Sequence, residues 1–418
     1  MRYTTEHYRL DHRKNSMTER LYYHDSYLRQ FEARVVKSEE TTKGCEVVLD
    51  ATAFYPTSGG QPHDLGIVAG ARIQEVVERD DEIVHCLTGP VAEDRLQCEI
   101  DWARRFDHMQ QHTGQHVLSQ AFVRAAKRNT VGFHMGADYV TIDLDAESIN
   151  PQQISEAEHL ANEIVYENRP IAIRIVPEAE VPALGLRKES QRVGPLRVVS
   201  VEDFDVSACG GTHVRRTGEI GSVVIRKVER VNRQARVEFA CGRRSVVSGQ
   251  RDLETLSFVA RQLSVGLNEV PARVEKQIQE SRQLRKTLQV KNRILAGLLA
   301  KELYAQVQGQ EGRRIVKQLF EDEEMEFLKL LAQALVGLGN CVVLLGSGGL
   351  QASLLFAQGE NLPGDLRQIL PACCQLIEGK GGGTRTLVQA GGKNTSQLQQ
   401  ALDLAEQRIM DKSAPGSS

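Results

Sequence analysis

Two short segments of the sequence carry pairs of side chains that can bind a metal ion. In HTGQH, His112 and His116 are four residues apart, which places both imidazoles on one face of a helix. In CGGTH, Cys209 and His213 flank two glycines and a threonine, and the glycines permit a tight loop that presents both ligands. Three imidazoles and one thiolate match the ligands of a tetrahedral Zn²⁺ site, so we predict that these four residues bind zinc.

Each pair alone has a simpler interpretation. Two histidines on a helix are commonly polar surface, and a lone Cys209 is commonly a small buried apolar residue. The combination of the two pairs favours the metal site. The H-E-x-x-H pattern of zinc proteases is absent, because position 113 is not glutamate. No general base accompanies the ligands, and the catalytic residue stays unassigned.

The bulk composition indicates an ordinary globular protein. The chain has 418 residues, of which 41% are hydrophobic and 26% charged, enough for two or three domains. No apolar run is long enough to span a membrane, and the N-terminus lacks the apolar stretch of a secretory signal. Eight cysteines are too few for a disulfide scaffold. We therefore expect a cytoplasmic protein with reduced thiols and no membrane partner.

Positive charge is concentrated next to the second ligand pair. Residues 213–244 include nine basic and three acidic side chains, a net charge of +6 in a chain whose total is −3. This segment could be a solvated strand surface. Clustered guanidinium groups also neutralise phosphates, so we predict RNA contacts at four of its arginines. These are Arg215, Arg216, Arg230 and Arg233.

The pattern of predicted elements is that of a mixed α+β protein. We expect a disordered extension or misassigned start at 1–16 and a small all-β domain at 17–101. An α/β core that carries the four ligands follows at 102–250, beginning with an amphipathic helix at 104–127. Helical sequence at 251–308, with apolar residues on one face, predicts a long spacer helix or a two-helix hairpin. A C-terminal α/β domain at 309–410 and a disordered tail at 411–418 complete the predicted layout.

Four further blocks carry a family resemblance. FYPTSGGQPHDLG (54–66), TVGFHMGADYVTIDLD (130–145) and TGEIGSVVIRKVERVNRQARVEFACGRR (217–244), with the two ligand pairs, resemble the editing domain of alanyl-tRNA synthetases and the free-standing AlaX-type editing proteins. GKGGGTRTLVQAGG (379–392) looks like the Gly-rich loop of the synthetase's C-terminal domain. No motif for alanine activation is present, so the chain resembles the long form of AlaX.

This resemblance implies an aminoacyl-tRNA deacylase that binds Zn²⁺ and protects translation fidelity. Its substrate would be tRNA(Ala) mischarged with serine, and also with glycine. The resemblance further suggests that Thr52 reads the serine hydroxyl, that Gly59 and Gly60 let the backbone approach the substrate, and that Gln61 bonds the aminoacyl group or terminal ribose. Gly381, Gly382 and Gly383 would contact tRNA.

Alternatives remain at each level. Thr52 could be an ordinary strand residue, and the glycine-rich segments could be plain turns. Zinc with four protein ligands would be structural, whereas exchange of one ligand for water would make it catalytic. The chain could instead be a zinc-stabilised tRNA-binding module without activity, or a zinc hydrolase of another ester. The helical spacer also leaves room for a homodimer.

Overall fold

The structure, a computed structural model, describes residues 18–42, 44–189, 194–309 and 313–411. The chain divides into two units, one ending at Phe258 and the other beginning at Val259. The mixed α+β class is confirmed, because each unit combines helices with sheets. The predicted extension at 1–16, and the tail beyond residue 411, lie outside the described residues and stay predictions. None of the helices in the described ranges is long and apolar enough to cross a bilayer.

The first unit begins with a closed barrel. The strands of this part of the chain are β1 (Glu19–Arg20), β2 (Gln30–Thr41), β3 (Gly44–Leu49), β4 (Ala51–Thr52), β5 (Gly66–Val68), β6 (Ala71–Arg79), β7 (Glu82–Leu87) and β8 (Arg95–Ile100). The barrel order is β2-β3-β7-β6-β5-β8, and β1 pairs with β4 outside it. Alternate residues of β8 are buried, as expected for a strand with one face in a core. The segment between β4 and β5, which contains FYPTSGGQP, leaves the barrel and reaches the candidate site.

Two antiparallel sheets, two helices and most of a third helix complete the first unit. The elements are α1 (Trp102–Ala126), β9 (Thr130–Met135), β10 (Val140–Leu144), α2 (Pro151–Tyr166), β11 (Ile171–Val176), β12 (Leu196–Val201), β13 (Asp205–Ala208), β14 (Val223–Val231), β15 (Gln234–Cys241) and α3 (Gly242–Leu263). The sheet orders are β14-β15-β10-β9 and β11-β12-β13. α2 starts with a capping box between Asn150 and Gln153, which accounts for its well-defined start after β10.

Helix α1 is the central element of this unit. Its N-terminus is capped by Asp101, whose carboxylate accepts from Arg104 N at 3.2 Å. Arg105 and Asp64 form a fully buried ion pair that ties the helix to the segment after β4. The prediction of an amphipathic helix was wrong for its middle, where both the apolar and the polar faces are buried. The polar face is covered because its side chains belong to the candidate site.

The second unit contains one mixed sheet. Its elements are α4 (Val270–Gln306), β16 (Arg314–Phe320), α5 (Met325–Val336), β17 (Cys341–Ser347), β18 (Ala352–Gln358), α6 (Leu370–Leu376), β19 (Gly379–Gly383), β20 (Leu387–Gly392) and α7 (Leu398–Asp411). The strand order is β16-β17-β18-β20-β19, and every residue of the interior strand β17 is buried. The sheet is covered by helices, as the burial of this mostly apolar strand requires.

The glycine-rich segment near residue 380 was predicted as a loop, and this was wrong. It forms the edge strand β19, which pairs with β20. A side chain at Gly381 would clash with the carbonyl oxygen of Gln389. The glycines therefore permit a close approach of two strands, a role that composition alone does not distinguish from a flexible loop.

Candidate metal centre

The structure brings the four predicted ligands together. His112 and His116 project from α1, while Cys209 and His213 lie in the loop after β13, and their ligand atoms all lie within 4.8 Å of one another. Cys209 Sγ is 3.3 Å from His112 Nε2 and 3.2 Å from His213 Nε2. Metal bonds of about 2.0–2.3 Å imply ligand separations of about 3.3–3.7 Å in a tetrahedral site. The cluster could therefore hold one metal ion.

Each of the three imidazoles has a protein partner at its other nitrogen. The contacts are His112 Nδ1 to Gln61 Oε1 at 2.7 Å, His213 Nδ1 to Thr113 Oγ1 at 3.1 Å, and His116 Nδ1 to Asp205 Oδ2 at 3.3 Å. These partners fix the ring orientations and leave the Nε2 atoms free to converge on the thiol. Such outer partners are the usual companions of metal-binding histidines. The donor set thus fits Zn²⁺ in number, chemistry and orientation.

The electrostatics of the cluster favour the ligand form of the cysteine. Burial by itself raises the pKa of the Cys209 thiol, but the neighbouring imidazoles lower it well below its ordinary value. Burial also opposes ionisation of Asp205, yet His116 and Arg187 lower the pKa of this carboxyl. Arg187 Nε donates to Asp205 Oδ1 at 2.8 Å. A thiolate is the form that binds metal, so the surroundings prepare Cys209 for that role.

Gln61 links the segment after β4 to the CGGTH loop. It is fully buried, its Nε2 donates to Thr212 Oγ1 at 2.9 Å, and its Oε1 accepts from His112 Nδ1 and Thr212 N. The amide is thus engaged within the protein, on the outer side of a candidate ligand. Gly60 has φ of +84°, and a side chain there would come within 2.7 Å of Phe133. Glycine is required at that position by both its backbone and its neighbour.

A large open cavity borders the cluster. Its volume is about 950 Å³, and we call it the cluster cavity. It is lined by three of the four proposed ligands. Aromatic side chains in its wall include Tyr22, Tyr23 and Tyr55, and cationic side chains include Arg187, Lys188 and Arg197. Gly59 also lines it, with φ of +55° and open space beside it. Three carboxylates, from Glu78, Asp81 and Glu189, also line it, and Glu78 pairs with Arg20. The lining thus combines aromatic rings with charges of both signs.

Arg197 was missed by the sequence analysis. Its Nη1 donates to Cys209 O at 2.7 Å and to Gly211 O at 3.0 Å, and its guanidinium lies over the Tyr23 ring at 5.2 Å. Its Nη2 is buried without a hydrogen-bond partner among the described residues. An arginine within the otherwise apolar LRVVSV strand was the available signal, since a buried charge requires partners. Asp205 gave no comparable signal.

Thr52 lies away from the cluster cavity, inside the protein. It is fully buried and is not among the residues that line the cavity. His85 Nδ1 is 3.1 Å from Val47 O, which can only accept, so Nδ1 carries the proton and Nε2 is the acceptor. The Thr52 hydroxyl therefore donates to His85 Nε2 at 2.8 Å and accepts from Phe54 N at 3.1 Å. One lone pair of Thr52 Oγ1 remains, and it can accept a hydrogen bond from a further N–H or O–H group.

The predicted RNA-binding arginines are dispersed over the first unit. Arg215 lies over the Tyr27 ring at 4.1 Å, and Arg216 donates to Asn168 O. Arg230 pairs with the exposed Glu147, and Arg233 lies in the turn between β14 and β15. In the second unit, Gly381, Gly382 and Gly383 line a separate cavity of about 560 Å³.

Comparisons with known proteins agree with the sequence blocks. The family model described as "Threonyl and Alanyl tRNA synthetase second additional domain" matches residues 196–236. The alanyl-tRNA editing protein AlaX-L of Pyrococcus horikoshii is 31% identical over 415 residues, which cover 94% of this chain and 98% of that protein. The alanine–tRNA ligase of Pyrococcus abyssi is 32% identical over 401 residues, which cover 92% of this chain but 43% of the ligase.

One solved structure also shows similarity. The C-Ala domain of alanyl-tRNA synthetase from Aquifex aeolicus matches 24% of this chain and 95% of its own length, with 22% identity and a TM-score of 0.23.

Proposed function

Because the chain belongs to the family of alanyl-tRNA editing proteins, we propose that it hydrolyses tRNA(Ala) mischarged with serine or glycine and spares alanyl-tRNA(Ala). An alanine-activating site cannot strongly exclude the smaller glycine, and it penalises the added hydroxyl of serine only weakly. A second, hydrolytic site restores the accuracy of protein synthesis. The observation that carries this proposal is the convergence of His112, His116, Cys209 and His213 in one cluster, of which the first three line the cluster cavity.

The same four residues would hold Zn²⁺. A bound zinc ion supplies positive charge that polarises an ester carbonyl or lowers the pKa of a bound water, and with four protein ligands it stabilises the loop. The protein's own contribution is orientation. Gln61, Thr113 and Asp205 hold the three rings, and an ester that is already activated needs chiefly correct positioning.

The cluster cavity would hold the terminal aminoacylated nucleoside. Its volume of about 950 Å³ is at the upper end of ordinary ligand pockets. Tyr23, the partly exposed ring among the three tyrosines, offers a surface on which a base can stack, and Arg187 and Arg197 offer positive charge toward a phosphate. Gly59 lines this cavity and leaves open space at its own position.

Discrimination between serine and alanine would depend on the hydroxyl. We propose that Thr52 supplies the deciding hydrogen bond, because its remaining lone pair can accept from a seryl hydroxyl, a group that the alanyl side chain lacks. Its burial means that the substrate side chain must reach past the FYPTSGGQP segment. Serine then gains a bond that alanine lacks, while the alanine methyl would leave that site unpaired.

A deacylation assay with purified seryl-, glycyl- and alanyl-tRNA(Ala) tests the function. We expect the seryl and glycyl esters to decay faster than without protein and the alanyl ester to be spared. Equal decay of all three, or no acceleration, would reject the proposal and favour a tRNA-binding module without activity. Hydrolysis of a small amino-acid ester at the same efficiency would favour a general zinc esterase.

A further inference from the structure

A second cavity, of about 480 Å³, lies beside the cluster cavity in the first unit. We call it the arginine cavity. The two cavities are lined by successive residues of the same three segments, namely His112 and His108 on α1, Gly59 and Pro62 after β4, and Phe133 and Met135 on β9. Four residues of helix or two of strand advance the chain by about 6–7 Å. The cavities are therefore neighbours, close enough for one extended ligand to occupy both.

The arginine cavity is predominantly positive. Four guanidinium groups line it, from Arg104, Arg243, Arg244 and Arg251, against two carboxylates, from Asp107 and Asp138. Asp107 is already neutralised by Arg244, whose Nε and Nη2 donate to it at 2.9 Å and 2.6 Å. Arg243 and Arg251 are exposed, and their side chains make no ion pair or hydrogen bond with the part of the chain that the structure describes. Two positive charges are thus available to a ligand.

A buried imidazole faces this cavity without a protein partner. His108 is 3% exposed, and its Nδ1 has no hydrogen bond to any described residue. Burial, reinforced by Arg104 and Arg244, lowers its pKa to about 3, so the ring is neutral. A neutral ring nitrogen can donate to a phosphate oxygen or accept from a ribose hydroxyl, depending on the tautomer. Leaving such an atom buried and unpaired is unfavourable, and a bound ligand would satisfy it.

The first turns of α3 supply further features of an anion site. α3 begins at Gly242, so the positive end of its dipole is next to Arg243 and Arg244. Tyr139 lines the same cavity with an aromatic ring. A cavity of this size exceeds the needs of a single inorganic phosphate, and the ring adds a surface for stacking.

We propose that the arginine cavity binds a phosphodiester and the adjoining base of a single-stranded RNA end whose terminal nucleoside occupies the cluster cavity. The inference rests on the proposed function, since that function places an RNA 3′ end in the cluster cavity. Arg243 and Arg251 hold the phosphate, His108 bonds a phosphate oxygen or ribose hydroxyl, and Tyr139 stacks on the base. The RNA end is thereby aligned before the ester reaches the metal-binding cluster.

The test uses the full chain and an uncharged acceptor-stem microhelix of tRNA(Ala) with a fluorescent label on its 5′ end. Kd is measured by anisotropy for the wild type and for the Arg243→Gln/Arg251→Gln variant. Neither arginine has a side-chain partner in the described residues, so folding should be unaffected. The matched control is Arg72→Gln/Arg174→Gln, which removes two exposed arginines of the same unit that likewise lack side-chain partners there.

We expect the cavity variant to raise Kd about tenfold or more and the control variant less than twofold, since only the former loses charge-assisted hydrogen bonds to the RNA. The slope of log Kd against log salt should become shallower by about 0.7 for each phosphate that the variant no longer neutralises. A second variant, His108→Phe, should weaken binding while raising Tm, because it removes an unpaired buried atom. Equal effects of the two double variants, or none, would overturn the inference.

Three further results separate this inference from its rivals. If AMP binding depends on Arg243 and Arg251 but microhelix binding does not, the cavity takes a free nucleotide and the RNA assignment is wrong. If the wild type deacylates no ester but the cavity variant loses microhelix binding selectively, the proposed function fails and the inference stands. If deacylation is normal and KM for seryl-tRNA(Ala) is unchanged in the cavity variant, the proposed function stands and the inference fails.

Discussion

Replacing Thr52 by valine removes one buried hydroxyl while nearly preserving the side-chain volume. The change leaves His85 Nε2 without its donor and Phe54 N without its acceptor, in a site with no solvent access. An unpaired buried polar group costs about 1–3 kcal/mol, so the first unit should lose about 2–6 kcal/mol in its free energy of unfolding. Thr52→Ser keeps the hydroxyl and should retain most of that stability. Denaturant unfolding followed by tryptophan fluorescence measures both, because Trp102 lies in this unit.

The same substitution separates a specificity role from a structural one. If Thr52 accepts from the seryl hydroxyl, the valine variant loses one neutral hydrogen bond, about 0.5–1.5 kcal/mol, and seryl deacylation slows by up to about tenfold. Glycyl-tRNA(Ala) has no hydroxyl to lose, so its rate should be unchanged at a temperature where the variant is folded. Metal content, measured on the same samples, should also be unchanged.

Comparing the deacylation rates of the seryl and glycyl esters shows whether Thr52 reads the serine hydroxyl. A parallel fall of seryl and glycyl rates in Thr52→Val would refute the hydroxyl-reading role and show that the residue only supports the fold. Rates for both esters that equal those of the wild type would refute it as well. The serine variant serves as the positive control, because it preserves the hydrogen bonds and should preserve the preference for the seryl ester.

Four other predictions concern the metal site, its supports and the second unit. Cys209→Ala should abolish stoichiometric zinc, whereas Cys86→Ala, outside the cluster, should retain it; full zinc in the first variant would exclude the site. Asp205→Asn should weaken zinc binding about 10–100-fold in a competitive chelator titration, because His116 loses its anionic partner, and an unchanged affinity would contradict that role. Burial lowers the pKa of His85 to about 4, so its contribution to stability is complete above about pH 6.5 and is lost as the pH falls toward 4, by up to about 3 kcal/mol. Urea unfolding of His85→Gln should therefore show a weaker dependence on pH over that range than the wild type, and an identical dependence would contradict the assignment. Truncation after Gly309 should raise KM for tRNA and flatten its salt dependence, whereas an unchanged KM would indicate that β19 and β20 are only structural.

The candidate site was predictable where local spacing fixes geometry. The i, i+4 positions of His112 and His116 determine their common face, and the Cys209–His213 loop is equally local. The donor types then indicate the metal. What sequence could not show is which distant groups hold the rings, because the contact between His116 and Asp205 joins residues 89 positions apart. Pairing of that kind depends on how α1 lies against β13.

The fold was predictable to a similar extent. Strand alternation in the barrel and the caps of α2 are readable from neighbouring residues. The position of the β19 glycines in a strand was not predictable. Glycine has little intrinsic preference for a strand, and its place there is set by pairing with β20. The burial of both faces of α1 was also hidden, since polar side chains normally indicate solvent, and here they are covered by the FYPTSGGQP segment and the CGGTH loop.

Gln61 connects the cavity wall to His112, one of the proposed metal ligands, so that the two should move together. The residue belongs to the same short segment as Gly59, which forms the wall, and its amide holds both His112 and the CGGTH loop. A ligand that displaces Gly59 would therefore also displace the ring of His112, one of the four proposed metal ligands. Binding at two such linked sites is reciprocal, because each ligand changes the affinity of the other by the same factor. A ligand in the cavity would thus change the affinity for the metal ion by the same factor by which a bound metal ion changes the affinity for that ligand.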